Sequence, residues 1–218
     1  MFQVILSTQW KWARLPLLLA TITAFTIPVL SVRGVGGSQI QGVMAFSVLA
    51  AMENWAVWYP LLAAAIGLLL AVTAWGPDHR QGHSYALSLP LPRWQYAMLR
   101  LCAGFVLLAA PAIGIALGSV LASATATVPL GLTAYPAALA IRFTLAAILA
   151  FTIFFAIASG STRTAGYVLA TMAALLIGHR LLGVVAIDID VIGPILERLY
   201  DFRGPLGIFG GRWMLIDV

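Results

Sequence analysis

Five long apolar runs divide the chain, at residues 15–30, 56–75, 101–121, 137–158 and 165–186, with short polar segments between them. A membrane-spanning helix needs about 20 mostly apolar residues, whereas a barrel strand alternates apolar and polar positions over about 10. These runs are unbroken by alternation, so the pattern predicts an all-α integral membrane protein with five transmembrane helices. Ahead of the first run lies MFQVILSTQWKWAR, in which Gln3, Ser7, Lys11 and Arg14 recur at helical spacing and Phe2, Ile5, Leu6, Trp10 and Ala13 fall largely on the other side. That predicts an interfacial amphipathic helix over residues 1–14, anchored at headgroup depth by Trp10, Lys11, Trp12 and Arg14.

The connections carry their own signals. Residues 31–55 are Gly-rich and then moderately apolar, ending at Trp55, Trp58 and Tyr59, an aromatic cluster expected at an outer membrane interface. The third run contains Pro111 and the pair Gly114/Gly118, a spacing of small residues that permits close helix contact. SGSTRTAG is a tight turn between the last two runs. His179 and Arg180 lie near the outer end of the fifth run, where an intramembrane charge is a functional candidate and an arginine can also snorkel to water. Residues 187–218 are too polar and too interrupted by Gly and Pro to span; within them Pro194–Phe202 predicts a short amphipathic helix. Five spans from an inner N-terminus place residue 218 outside.

Composition turns the pattern into a class. Of 218 residues, 62% are hydrophobic and 9% charged, against about 25% charged in soluble domains. The formal charge of +5 does not indicate nucleic acid, because the cations are spread around the membrane segments. Lys11, Arg14, Arg80, Arg93, Arg100 and Arg163 on one side equal in number Arg33, Arg142, Arg180, Arg198, Arg203 and Arg212 on the other, but within the short loops close to the first four spans the first side holds the excess, which predicts a cytoplasmic N-terminus. Lys11 and Arg14 before an apolar run resemble a signal peptide, but PVLSVRG lacks a small-x-small cleavage site. Cys102 is the sole cysteine, so no intrachain disulfide forms.

Chemistry is sparse. A P-loop needs a lysine to neutralise phosphate, and the one lysine, Lys11, lies in QWKWAR; no ATP is expected to be hydrolysed in this chain, and no enzyme activity, cofactor or metal. Asp78, His79 and His83 fall at spacings that could place metal ligands on one helical face, although polar loop residues near headgroups are the simpler account. No acid falls within a predicted span, which disfavours a proton- or sodium-coupled transporter.

The segment 76–100 is the most distinctive. PDHRQGHSYALSLPLPR opens on Asp78 with Gln81 three residues on, a capping-box-like start, and ends a short helix at Pro90 and Pro92, which stiffen the entry to the next span at Arg93 and Trp94. SLPLPR leading directly into a membrane helix resembles the coupling loop in the permease subunits of ATP-binding-cassette exporters. The resemblance implies a coupling helix seated in a separate ATPase, with Asp78 as its cap and Ser84, Leu87, Leu89, Pro90, Pro92 and Arg93 in coupling. It also implies ATP and Mg on that partner, a second permease copy or homologue, and a sixth span beyond residue 218. The first, second and fifth spans would line the path, in a bacterial plasma (inner) membrane with membrane lipid around it. A non-transport structural subunit of a larger membrane complex is the alternative; it has no need of a stiff elbow.

Overall fold

The structure, a computed structural model, describes residues 1–33, 44–80, 92–160, 162–184 and 193–218. The chain is mostly helical. The first apolar run and the segment ahead of it form one helix, α1 (Phe2–Arg33). Nothing in the first fifteen residues breaks a helix, and Ile5, Gln9, Ala13, Leu17, Ala20 and Ala24 are buried at steps of three and four, one stripe through both segments. In place of a separate helix over 1–14, residues 2–14 are continuous with the first apolar run in one helix. Gln3, Ser7, Lys11 and Arg14 are exposed on the opposite side, and Trp10 and Trp12 are about half exposed.

Next come α2 (Met44–Ala56) and α3 (Trp58–Arg80), separated by a single turn residue so that Val48–His79 forms one long apolar stretch. α3 runs through Pro77 past its expected end. Then α4 (Arg93–Thr125) begins immediately after Pro92, whose backbone is extended at φ −62° and ψ 142°. A two-residue strand β1 (Thr133–Ala134) leads into α5 (Pro136–Ala158), with Pro136 at the first helical position, where a missing N–H costs nothing. α6 (Thr162–Val184), α7 (Gly193–Tyr200), a 3₁₀ turn at Gly207–Phe209 and β2 (Ile216–Asp217) complete the chain.

Among the described residues, four helical stretches are long and apolar enough to cross a membrane: α1, the α2–α3 stretch, α4 and α5. The described apolar stretch of α6, the expected fifth span, is the shorter Gly166–Leu175. Neighbouring helices close a ring, with α1 against α4, α4 against α5, α5 against α3 and α3 against α1; α6 touches chiefly α5. The ring closes tightly because its knuckles are glycine. A Cβ on Gly114 would stand 2.8 Å from the Thr21 carbonyl oxygen, and one on Gly118 would press into the backbone of Phe25. The small-residue spacing therefore lies on the α1–α4 seam. On the other side a Cβ on Gly67 would meet the Phe151 backbone nitrogen at 2.6 Å. Phe105, Phe151, Phe155 and Trp75 stack through the interior at centroid separations of 5.1–5.6 Å.

The C-terminal residues fold back onto α5. β2 pairs antiparallel with β1, Thr133 opposite Asp217 and Ala134 opposite Ile216, and the Tyr135 amide donates to the Leu215 carbonyl at 2.8 Å. Arg142, one helical turn and a half into α5, donates to the carbonyls of Ile208, Gly210 and Arg212, and its guanidinium lies 4.4 Å from the Trp213 ring centre. A cation on an apolar helix is thus satisfied by backbone oxygens and an aromatic face rather than by an acid. Arg142→Met should remove about 2–4 kcal/mol of docking energy. Protease should then cut residues 204–218 faster while the helical bundle stays intact; unchanged cleavage would mean the arginine does not hold the segment.

Candidate functional site

The elbow's two ends meet in a buried cluster. Trp75 and Asp78 lie one turn apart near the end of α3, and Tyr96 and Arg100 lie one turn apart near the start of α4, so each pair shares a helix face. The faces oppose one another. Arg100 Nη2 donates to Asp78 Oδ1 at 3.0 Å, with both side chains almost wholly buried, at 4% and 1% exposed. Arg100 Nη1 donates to the Ala74 carbonyl. The Tyr96 hydroxyl donates to the Asp78 carboxylate, 3.2 Å from Oδ1 and 3.1 Å from Oδ2. The guanidinium carbon lies 4.7 Å from the Tyr96 ring centre and 5.2 Å from that of Trp75. Charge, hydrogen bonds and aromatic faces together offset the large cost of taking two ions out of water.

The other two helices of the ring reach the same end. From α1, Gln9 Nε2 donates to the Arg100 backbone carbonyl at 3.3 Å. From α3, His79 Nε2 donates to the Ala158 carbonyl at the end of α5, at 2.9 Å. A cavity of about 10 Å³ lies between Gln9, Ala74, Pro77, Tyr96 and Arg100, and a volume of that order holds about one water molecule. Gln9 Oε1 and Arg100 Nε, both buried, have no protein hydrogen-bond partner among the described residues. The cluster can therefore bind and orient charges, and it holds four helices at the elbow. It presents no nucleophile and no open carboxylate.

Asp78 thus stands in the last turn of α3, committed to Tyr96 and Arg100, rather than at the start of a new helix; α3 continues to Arg80 because Pro77 is accommodated within it. Two acids accordingly lie within the long apolar stretch Val48–His79, contrary to expectation: Glu53, exposed on α2, and Asp78, ion-paired to Arg100. The neighbour of Asp78, His79, is turned to α5, so the two residues face different partners. Pro92 and Arg93 are exposed at the start of α4, beside Trp94 at 66% exposed. Ser84, Leu87, Leu89 and Pro90, with His83, lie outside the described residues, as do the side chains of His179 and Arg180 on α6.

Sequence reasoning treated Arg100 as one more inner cation and did not single out Gln9, Trp75 or Tyr96. The signal was available. A lone acid at the end of one apolar run and an arginine two turns into the next are charges that must find each other if either is buried. Comparison with protein-family models, curated proteins and solved structures gave no match.

Proposed function

We propose that this chain is the permease subunit of an ATP-driven exporter, moved by a separate cytoplasmic ATPase that docks on the loop 76–100. On this reading α6 is a fifth span, the N-terminus faces the cytoplasm of a bacterial inner membrane, and a second permease copy or homologue completes the pathway. ATP and Mg bind the partner, not this chain. One observation carries the reading: the buried Asp78–Arg100–Tyr96 joint ties the helix entering the elbow to the helix leaving it. A push on the elbow would then displace α3 and α4 together rather than bend one loop. Gln9 and His79 extend the connection to α1 and α5. Arg93, exposed where α4 starts, would meet the ATPase on this reading.

The first test is to extract the protein from its native membrane in mild detergent and identify chains that co-purify in stoichiometric amounts by mass spectrometry. A partner carrying a Walker A lysine is the expected result; partners without any ATPase would favour the structural-subunit alternative. With the ATPase in hand, Arg93→Glu and the double change Leu87→Asp/Leu89→Asp should lower permease-dependent ATP hydrolysis at least about tenfold, equivalent to about 1.4 kcal/mol of docking. Membrane insertion should be unaffected. Hydrolysis at the original level in both variants would remove the elbow from the coupling path.

A further inference from the structure

At the opposite end of the ring from the joint, α1, α2, α4 and the chain terminus enclose a cavity of about 420 Å³, within the range of small-molecule sites. Its floor is apolar and buried: Val48 at 5%, Met52 at 2% and Ile216 at 2% exposed. Its rim is polar and open, with the exposed residues Arg33, Thr125 and Thr127. The Thr125 hydroxyl donates to the Leu121 carbonyl of its own helix. Arg33 has no acid partner among the described residues, where one ion pair occurs and joins Asp78 to Arg100.

Depth adds a constraint. α1 has 32 residues, so it is about 48 Å long at about 1.5 Å per residue and exceeds the hydrocarbon core of about 30 Å. With the apolar run 15–30 in that core, Arg33, in the last turn, stands at headgroup level and the cavity floor on the acyl-chain side of it. We infer that this cavity binds an acidic glycerophospholipid, its headgroup phosphate against the Arg33 guanidinium and the upper part of one acyl chain against Val48, Met52 and Ile216. The cation at the rim and the apolar floor below it match an amphiphile whose charge and chain are arranged in the same order. A fixed lipid there would fill the space between α1, α2 and α4. The inference depends on the chain lying in a membrane and on no ATPase partner.

The experiment is native mass spectrometry of the full chain in dodecyl maltoside, titrated with phosphatidylglycerol, phosphatidylcholine and free dodecyl phosphate, for the unaltered protein, Arg33→Gln and Arg33→Lys. Arg33 is exposed on a helix end, so neither substitution disturbs the fold. One phosphatidylglycerol should bind with clear preference over phosphatidylcholine; Arg33→Gln should weaken it at least about tenfold, and Arg33→Lys should retain most of it. Equal binding by Arg33→Gln, no preference between the two lipids, or no retained lipid would each overturn the site. Dodecyl phosphate binding without phosphatidylglycerol binding would overturn the lipid as occupant. Val32→Phe, which narrows the cavity from a partly buried position on α1, should reduce lipid binding while leaving thermal unfolding of the protein within a few degrees; undiminished binding would move the acyl chain elsewhere.

Discussion

Asp78→Leu is expected to cost about 3–5 kcal/mol of stability, because it leaves the Arg100 guanidinium buried without a counter-charge. Arg100 is 3% exposed and its remaining partners, the Ala74 carbonyl and the two aromatic rings, do not carry a formal negative charge. Arg100→Met should cost a similar amount by stranding the Asp78 carboxylate with only the Tyr96 hydroxyl. The informative variant is the double change Asp78→Leu/Arg100→Met. Replacing a whole buried pair by apolar groups of similar size is often close to neutral, so the double variant should recover most of what either single one loses. Thermal unfolding of all four proteins in the same detergent, arranged as a double-mutant cycle, measures this directly. Additive losses would mean the two residues act independently, and the joint would lose its place in the coupling argument. If the double variant is stable yet uncoupled from an ATPase, the pair serves the transmission of motion and not the fold.

Gly118→Leu should be as damaging for a different reason. The α1–α4 seam admits no side chain at this position, since a Cβ already presses into the Phe25 backbone. Backbone does not yield as a side-chain tip does, so the helices must separate along their length. Overpacking a tight interior costs about 1–3 kcal/mol when side chains can shift; with backbone on the far side the loss should reach or exceed the top of that range. Gly118→Ala should show a smaller loss of the same sign. The measurement is the fraction of protein that remains monodisperse after detergent extraction, together with its unfolding temperature. Gly131→Ala is not a fair control, because its φ of +94° is strained for any other residue. Gly166→Ala is, since a Cβ there meets nothing within 4 Å, and it should leave extraction unchanged.

Length and apolarity made the helices legible, because a run of hydrocarbon must either be buried or face lipid. Their ends were less so. α1 absorbs residues 2–14, α3 continues through Pro77 to Arg80, and α4 starts at Arg93 rather than at 101. In each case polar residues at the end of a run looked like a loop, whereas a helix costs nothing further once those residues find partners across the bundle. Gln9, Asp78 and Arg100 are such residues. Their pairing depends on which helices become neighbours, and periodicity along one helix does not contain that. The C-terminal clasp was hidden for the same reason: an arginine within α5 and three carbonyls beyond residue 207 share no local pattern. By contrast, Gly114 and Gly118 were visible as a spacing, since close approach demands small residues at one-turn intervals whatever the partner.

The glycine seam also limits how this molecule can change shape. With Gly114 and Gly118 seated on the Thr21 and Phe25 backbone, α1 and α4 are notched together, and neither can slide along the other without lifting out of the notch. Any displacement of α4 is therefore passed to α1 as a rotation or translation of the pair as one body. α6 rests chiefly on α5, and among its described residues no such notch occurs: a Cβ on Gly166 or Gly178 would meet nothing within 4 Å. Relative motion within the chain should accordingly appear first between α6 and the ring. Distance measurements between spin labels on α1, α4 and α6 should show a narrow α1–α4 distribution and a broader one for α4–α6.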